Sequence, residues 1–135
     1  MQLLTVSPSH IDRAWLDGAS CLEEACKLVD EITGGQLKMI LSRGERTLVA
    51  MREEDKTVGW GCFRIDQLPN IRVLHITDLV AHNAHFETFF DQLKNLAEQM
   101  GCSRIRCAAL PAQARLYRMK CSFKPVYEVL EVNLL

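Results

Sequence analysis

A chain of 135 residues, 48% of them apolar, is long enough to bury a core of its own, and a single domain over residues 1–135 is expected. Sixteen Lys and Arg stand against seventeen Asp and Glu, with no block of like charge, which argues against a nucleic-acid or anionic-membrane surface. No stretch reaches the length of a bilayer span, and the opening MQLLTVSPSHIDRAW lacks a basic segment followed by a long apolar run, so a soluble cytoplasmic protein is expected.

After a first strand, Ser7-Pro8 reads as an N-cap followed by proline in a first helical turn, and Ile11, Trp15, Leu22, Cys26 and Val29 recur at near-helical spacing. Gly18 breaks this run into two pieces. Leu37, Ile40 and Leu41 mark a further helix, stopped by Gly44, whose missing β-carbon suits the left-handed residue beyond a helix end. From Thr47 the period changes. RTLVAM, the charged tip REEDK and TVGWGCFRI read as a β-hairpin, with Gly59 and Gly61 marking a bulge around Trp60. DQLPN is turn chemistry, and IRVLHITDLV, rich in β-branched residues, is the next strand.

Phe86, Phe89, Phe90, Leu93, Leu96, Ala97 and Met100 then form one face of a helix that Gly101 stops. SRIRCAAL reads as a strand, PAQARLYRMKC as a short helix with Pro111 in its first turn, and FKPVYEVLEVNL as a closing strand. A strand–helix–strand unit needs a right-handed crossover and usually pairs in parallel. The sheet is therefore expected to be mixed, antiparallel on the hairpin side and parallel where Ile71–Val80 meets Ser103–Leu110.

Cys21, Cys26, Cys62, Cys102, Cys107 and Cys121 show no C-x-x-C pair and no spacing typical of a zinc site, so no metal is expected. In a chain of this size they read as reduced thiols in or near the core.

The order of elements, together with several phrases, resembles the GNAT superfamily of acyl-CoA-dependent N-acetyltransferases. QLKMILSRGERTLVAMREEDKTVGWGCFRI resembles the family's helix and hairpin ending in xVGxxxxRI; FFDQLKNLAEQMGCSRIRCAA resembles LLxxLxxxAxxxGxxxIxLxV; ARLYRMKCSFKP resembles AxxLYxxxGFKP. The pattern is also similar to small GNAT-like proteins encoded by tailed bacteriophages, for which the host cytoplasm or the virion would be the location. The resemblance implies an α/β fold of the mixed α+β kind: a central, mostly antiparallel sheet with one parallel, splayed strand pair, flanked by helices.

It also implies acetyl-CoA as cofactor, its pantetheine arm lying in the gap of that strand pair against the backbone near Leu79 and Val80. The pyrophosphate would sit on the next helix N-terminus, where unpaired N–H groups favour an anion, with Asn83, Ala84 and His85 as the candidate contacts and His82 beside them. The family phrase R/Q-x-x-G-x-G/A is missing here. Ala84 and Phe86 stand where glycines are expected, so the loop reads as degenerate, Phe86 either closing the cradle or turning into the core, and Asn83 serves equally as an N-cap.

Acetyl transfer needs a proton taken from the incoming ammonium and one given to the leaving thiolate. Tyr117 matches the family's proton donor, although six steps separate it from Phe123 where LYxxxGF has five, and one added residue turns a helical side chain by about 100°. Asp78 is the preferred base, with His75, Glu87 and Glu128 behind it. Packing of Tyr117 on the sheet and solvation of Asp78 at a strand end are the structural alternatives.

Two functions stay open. One is transfer of an acetyl group to a primary amine of a small molecule or protein partner; the other is a non-catalytic GNAT-fold module, such as a phage accessory or virion-associated protein. The closing segment has room for one strand where the family has two, leaving an edge that a partner or a second copy would cover in a homo-oligomer.

Overall fold

The computed structural model describes residues 1–81 and 85–135. Five strands, β1 (Gln2–Val6), β2 (Thr47–Glu53), β3 (Lys56–Gln67), β4 (Arg72–Ala81) and β5 (Arg104–Cys107), form one sheet in sequential order. Every pairing is antiparallel except β4 with β5, which is parallel, as the strand–helix–strand reading requires. No helix among the described residues is long and apolar enough to cross a membrane.

Helices cover both faces. On one lie α1 (Ile11–Asp17), α2 (Leu22–Cys26) and α3 (Gly34–Ser42); on the other lie α4 (Phe86–Gln99) and α5 (Pro111–Cys121). Strand β2 shows why its sequence is an unbroken apolar run. Leu48 and Ala50 enter the core under α1–α3, while Val49 and Met51 enter the core under α4 and α5. Gly18, at φ 131°, divides α1 from the next turn, and α2 ends at Cys26, leaving Val29 exposed outside it. Gly44, at φ 76°, follows α3 as expected. The start of α3 carries a reciprocal cap: Thr33 Oγ1 accepts from Gln36 N at 3.2 Å, and Gln36 Oε1 accepts from Thr33 N at 2.9 Å.

Three expectations are corrected. The bulge expected around Trp60 is displaced: Val58, beside Gly59, is the additional residue on β3, and a second register shift falls between Cys62 and Phe63. The two glycines instead make room for α4, since a β-carbon on Gly59 would stand 2.8 Å from Phe89 Cε2. The expected strand across FKPVYEVLEVNL does not form: the chain after Cys121 has no regular structure, and Val129, Leu130 and Leu134 are 83%, 85% and 91% exposed. The parallel strand is also shorter than SRIRCAAL, ending at Cys107.

Candidate active site

The shift between Cys62 and Phe63 aims the site. Cys62 pairs with Asp78 and Phe63 with Ile76, so Thr77 is the additional residue on β4. In a strand paired without a bulge, Asp78, two residues beyond Ile76, would share the face that Ile76 presents to α4 and α5. The bulge turns Asp78 to the other face, toward Cys26 of α2, whose Sγ lies 4.0 Å from Asp78 Oδ1. Alternation then resumes, Leu79 packing on the α4–α5 side and Val80 on the α1–α3 side.

Just there β4 and β5 part. Their pairing runs from Val73↔Arg104 to Ile76↔Cys107 and stops, while β4 continues to Ala81. A cleft of about 880 Å³ opens at the divergence, lined on β4 by Ile76, Thr77, Asp78 and Leu79, and across the gap by Cys107, Ala108 and Tyr117. The cleft thus joins side chains from opposite faces of the sheet, Asp78 from one and Tyr117 from the other.

The Asp78 carboxylate is 7% exposed, 3.6 Å from Arg46 Nη1 and 2.9 Å from Thr77 Oγ1. Burial lifts its pKa above the ordinary carboxylate value, against the lowering effect of the Thr77 hydroxyl and of Arg46. His75 also lines the cleft, and burial, then the nearby Arg64 charge, lower its pKa, favouring the neutral ring. The Tyr117 phenol is pushed by burial up to about 12 and the Cys107 thiol up to about 11, so both hold their protons at neutral pH. Burial raises Cys21, Cys26, Cys62 and Cys121 as well, which works against any of these thiols acting as a nucleophile.

The additional residue after Tyr117 does not turn the ring away. Helix α5 continues through Cys121, and its last turn is wide: the N–H groups of Ser122 and Phe123 both reach back to Tyr117 O. Ser122, at φ 59°, takes the left-handed conformation that a glycine would hold more easily. The Tyr117 ring lies parallel to Phe86, centroids 5.2 Å apart, so Phe86 has turned into the core at 6% exposure.

Of the residues singled out from sequence, Asp78, His75, Leu79 and Tyr117 meet in the cleft. Val80 does not line it and packs under α1–α3; Glu87 is exposed on the first turn of α4, and Glu128 is exposed on the tail. His82, Asn83 and Ala84 lie outside the described residues. His85 precedes α4, with its Nε2 3.5 Å from Glu53 Oε2. Arg46 and Thr77 escaped the sequence reading, because no periodicity marks a residue that acts through a bulge or from a loop. Among the described residues no cluster of three metal-binding side chains occurs.

No family model matches the sequence, and no curated protein matches it. Solved structures do match the fold. A probable acetyltransferase superposes with a TM-score of 0.70 at 15% identity, over 100% of this chain and 97% of the other. The ribosomal-protein-alanine N-acetyltransferase from Brucella melitensis biovar Abortus 2308 superposes at 0.71 and 12% identity, over 99% of this chain and 100% of the other. For the glucosamine-6-phosphate N-acetyltransferase from Arabidopsis thaliana the values are 0.64 and 18%, over 98% and 97%. The chain therefore has the GNAT acetyltransferase fold, with its mixed sheet and one parallel pair between layers of helices.

Proposed function

We propose that the protein is a GNAT-fold N-acetyltransferase that moves an acetyl group from acetyl-CoA to a primary amine. The observation that carries this reading is the divergence of β4 from β5, with Asp78 and Tyr117 facing one cleft from its two sides. The residues present fit the cofactor's extended arm. Beyond Ile76 no strand among the described residues lies beside the outer edge of β4, and the cleft there, about 880 Å³, is of the size that small-molecule sites have, about 300–1,000 Å³. Leu79 and its neighbours on β4 would hold the arm through their backbone groups. When bound, the thioester supplies an acyl carbon activated toward amines.

The chain's own groups divide the proton work. Asp78, lifted by burial, accepts a proton more readily than an ordinary carboxylate and takes the one that an incoming ammonium must lose. Tyr117, protonated up to about 12, keeps a proton on Oη for a departing thiolate. Arg46 holds the Asp78 carboxylate in place. At the phosphate end, Asn83, Ala84 and His85 remain the proposed contacts on the N-terminus of α4, with Glu53 as an opposing charge.

That carboxylate, with Phe86 buried where the family expects a glycine, favours a second reading: a non-catalytic fold that has lost the cofactor cradle, as in a phage accessory protein. Thermal unfolding with and without acetyl-CoA separates the two. Stabilisation that grows with cofactor concentration supports the enzyme, and Tyr117→Phe should then slow turnover roughly a hundredfold while sparing affinity. No shift at cofactor concentrations on the order of millimolar overturns the catalytic reading.

A further inference from the structure

The cleft carries a charge pair and an aliphatic wall that proton transfer alone does not require. Arg46, in the loop before β2, has a side chain only 21% exposed, beside the buried Asp78 carboxylate. Its contact with Asp78 Oδ2, at 3.6 Å, is longer than a hydrogen bond, and among the described residues its five N–H donors make no hydrogen bond. A guanidinium held this deep in a cleft with its fork unfilled suits a planar carboxylate.

The remaining charges do not compete at that depth. Arg64 is taken by Asp66, Nε to Oδ1 at 3.0 Å, while Arg43, Glu31 and Glu45 are exposed at the rim, where solvent screens them. In the same cleft Leu28 and Val29, from the segment after α2, and Met39 of α3 form a wall, yet they are 55%, 45% and 52% exposed. Large apolar side chains gathered at the mouth of a cleft mark where an apolar part of a ligand rests.

We infer that the acceptor is a free α-amino acid with an aliphatic side chain, its ammonium against Asp78, its carboxylate against Arg46 and its side chain on the wall of Leu28, Val29 and Met39. An α-amino acid carries both charges on one carbon, so an adjoining carboxylate and guanidinium match the two at once. Other amines fit less well. The second ammonium of a diamine would face Arg46 as a like charge, a peptide N-terminus would bring a neutral carbonyl and leave Arg46 unpaired, and sugar hydroxyls would meet aliphatic carbon.

The inference rests on the acetyl-transfer reading of the cleft. Asp78 takes one proton from the ammonium, the nitrogen bonds to the acetyl carbon, the carbon–sulfur bond breaks, and Tyr117 protonates the departing thiolate. The nitrogen's second proton replaces the one that Tyr117 gave. The products are an N-acetylated amino acid, a free thiol and the proton that Asp78 returns to solvent.

Leucine, leucinamide and isoamylamine test it, since all three share the ammonium and the branched chain and only leucine has the carboxylate. Titration calorimetry in the presence of CoA, where no transfer takes place, should show leucine binding and the other two weaker by roughly a hundredfold. With acetyl-CoA, kcat/KM should follow the same order. Arg46→Met should abolish the preference for leucine, and Arg46→Lys, which keeps the charge but loses the fork, should restore part of it. Val29→Asp, at an exposed position, should narrow the gap between leucine and glycine. Equal handling of leucine and isoamylamine by the wild type overturns the inference, as does a preference that survives Arg46→Met. Acetylation of other amines but not of leucine overturns it while the transferase stands. Leucine bound in the expected order by a protein that acetyl-CoA does not stabilise overturns the transferase reading and keeps Asp78 and Arg46 as an amino-acid site.

Discussion

The ring of Phe86 lies flat on that of Tyr117, their planes 7° apart, and Phe90 and Phe123 close around the pair at 6.0 and 5.8 Å from the phenol ring. This cluster ties the first turn of α4 to α5. Phe86→Ala leaves a cavity under both helices and should lower stability by about 3–5 kcal/mol, whereas Tyr117→Phe keeps every ring contact and should change stability little. Urea denaturation of the two variants checks the contrast.

The buried phenol has its own signature. An ultraviolet phenolate titration should show Tyr117 ionising late, at about 12, because burial withholds solvent from the phenolate. Tyr117→Phe should remove that late step. The sign for stability follows: the fold holds this proton more tightly than the unfolded chain, so the contribution is complete below the ordinary phenol pKa of 10.0 and is lost as pH rises through about 12.

Asp78 obeys the same sign at the acid end. Its folded pKa is raised from 3.8, so its contribution to stability is complete below that value and is lost as pH climbs through the raised one. Asp78→Asn should flatten the stability profile across that window, measured by denaturant midpoints at successive pH values. If Asp78 is the base, the acid limb of kcat/KM reports its ionisation. Arg46→Met removes the cation 3.6 Å away and should move that limb to higher pH; a limb that stays put excludes Asp78 from the role.

Gly59 and Gly61 predict a graded response. A β-carbon on Gly59 meets Phe89 at 2.8 and 2.9 Å and Ala81 Cβ at 3.1 Å, while on Gly61 the nearest atoms of Leu79, Phe89 and Val49 are all at 3.3 Å. Gly59→Ala should cost about 1–3 kcal/mol, as overpacking does, and Gly61→Ala less. Thermal midpoints of the two variants give the order.

Where the sequence was legible, periodicity and punctuation did the reporting. The bounds of α5 coincide with PAQARLYRMKC, and the parallel β4–β5 pair follows from a strand–helix–strand order that leaves little choice of hand. Asp78 and Tyr117 were legible as candidates because strand ends and the LY phrase are local. What was not legible depends on non-local geometry. The bulge at Thr77 leaves no mark in a strand of apolar and β-branched residues, so the face taken by Asp78 was hidden, and with it the pairing to Arg46. The cap of α3 was present as Thr33 and Gln36 but masked by the two glycines between them. The tail shows the opposite failure: its alternation is strand-like, yet the chain after Cys121 has no regular structure.

The gap between β4 and β5 exists because a ladder of backbone hydrogen bonds stops after four pairs. Its width is therefore a property of main-chain register and owes nothing to the side chains that happen to border it. Substitutions at Ala108, Gln113 or Met39 around the rim can recast which molecules enter while the opening itself persists. Such an architecture separates the inheritance of a cavity from the inheritance of its selectivity, and sequences can drift far apart while both chains still carry the same slot.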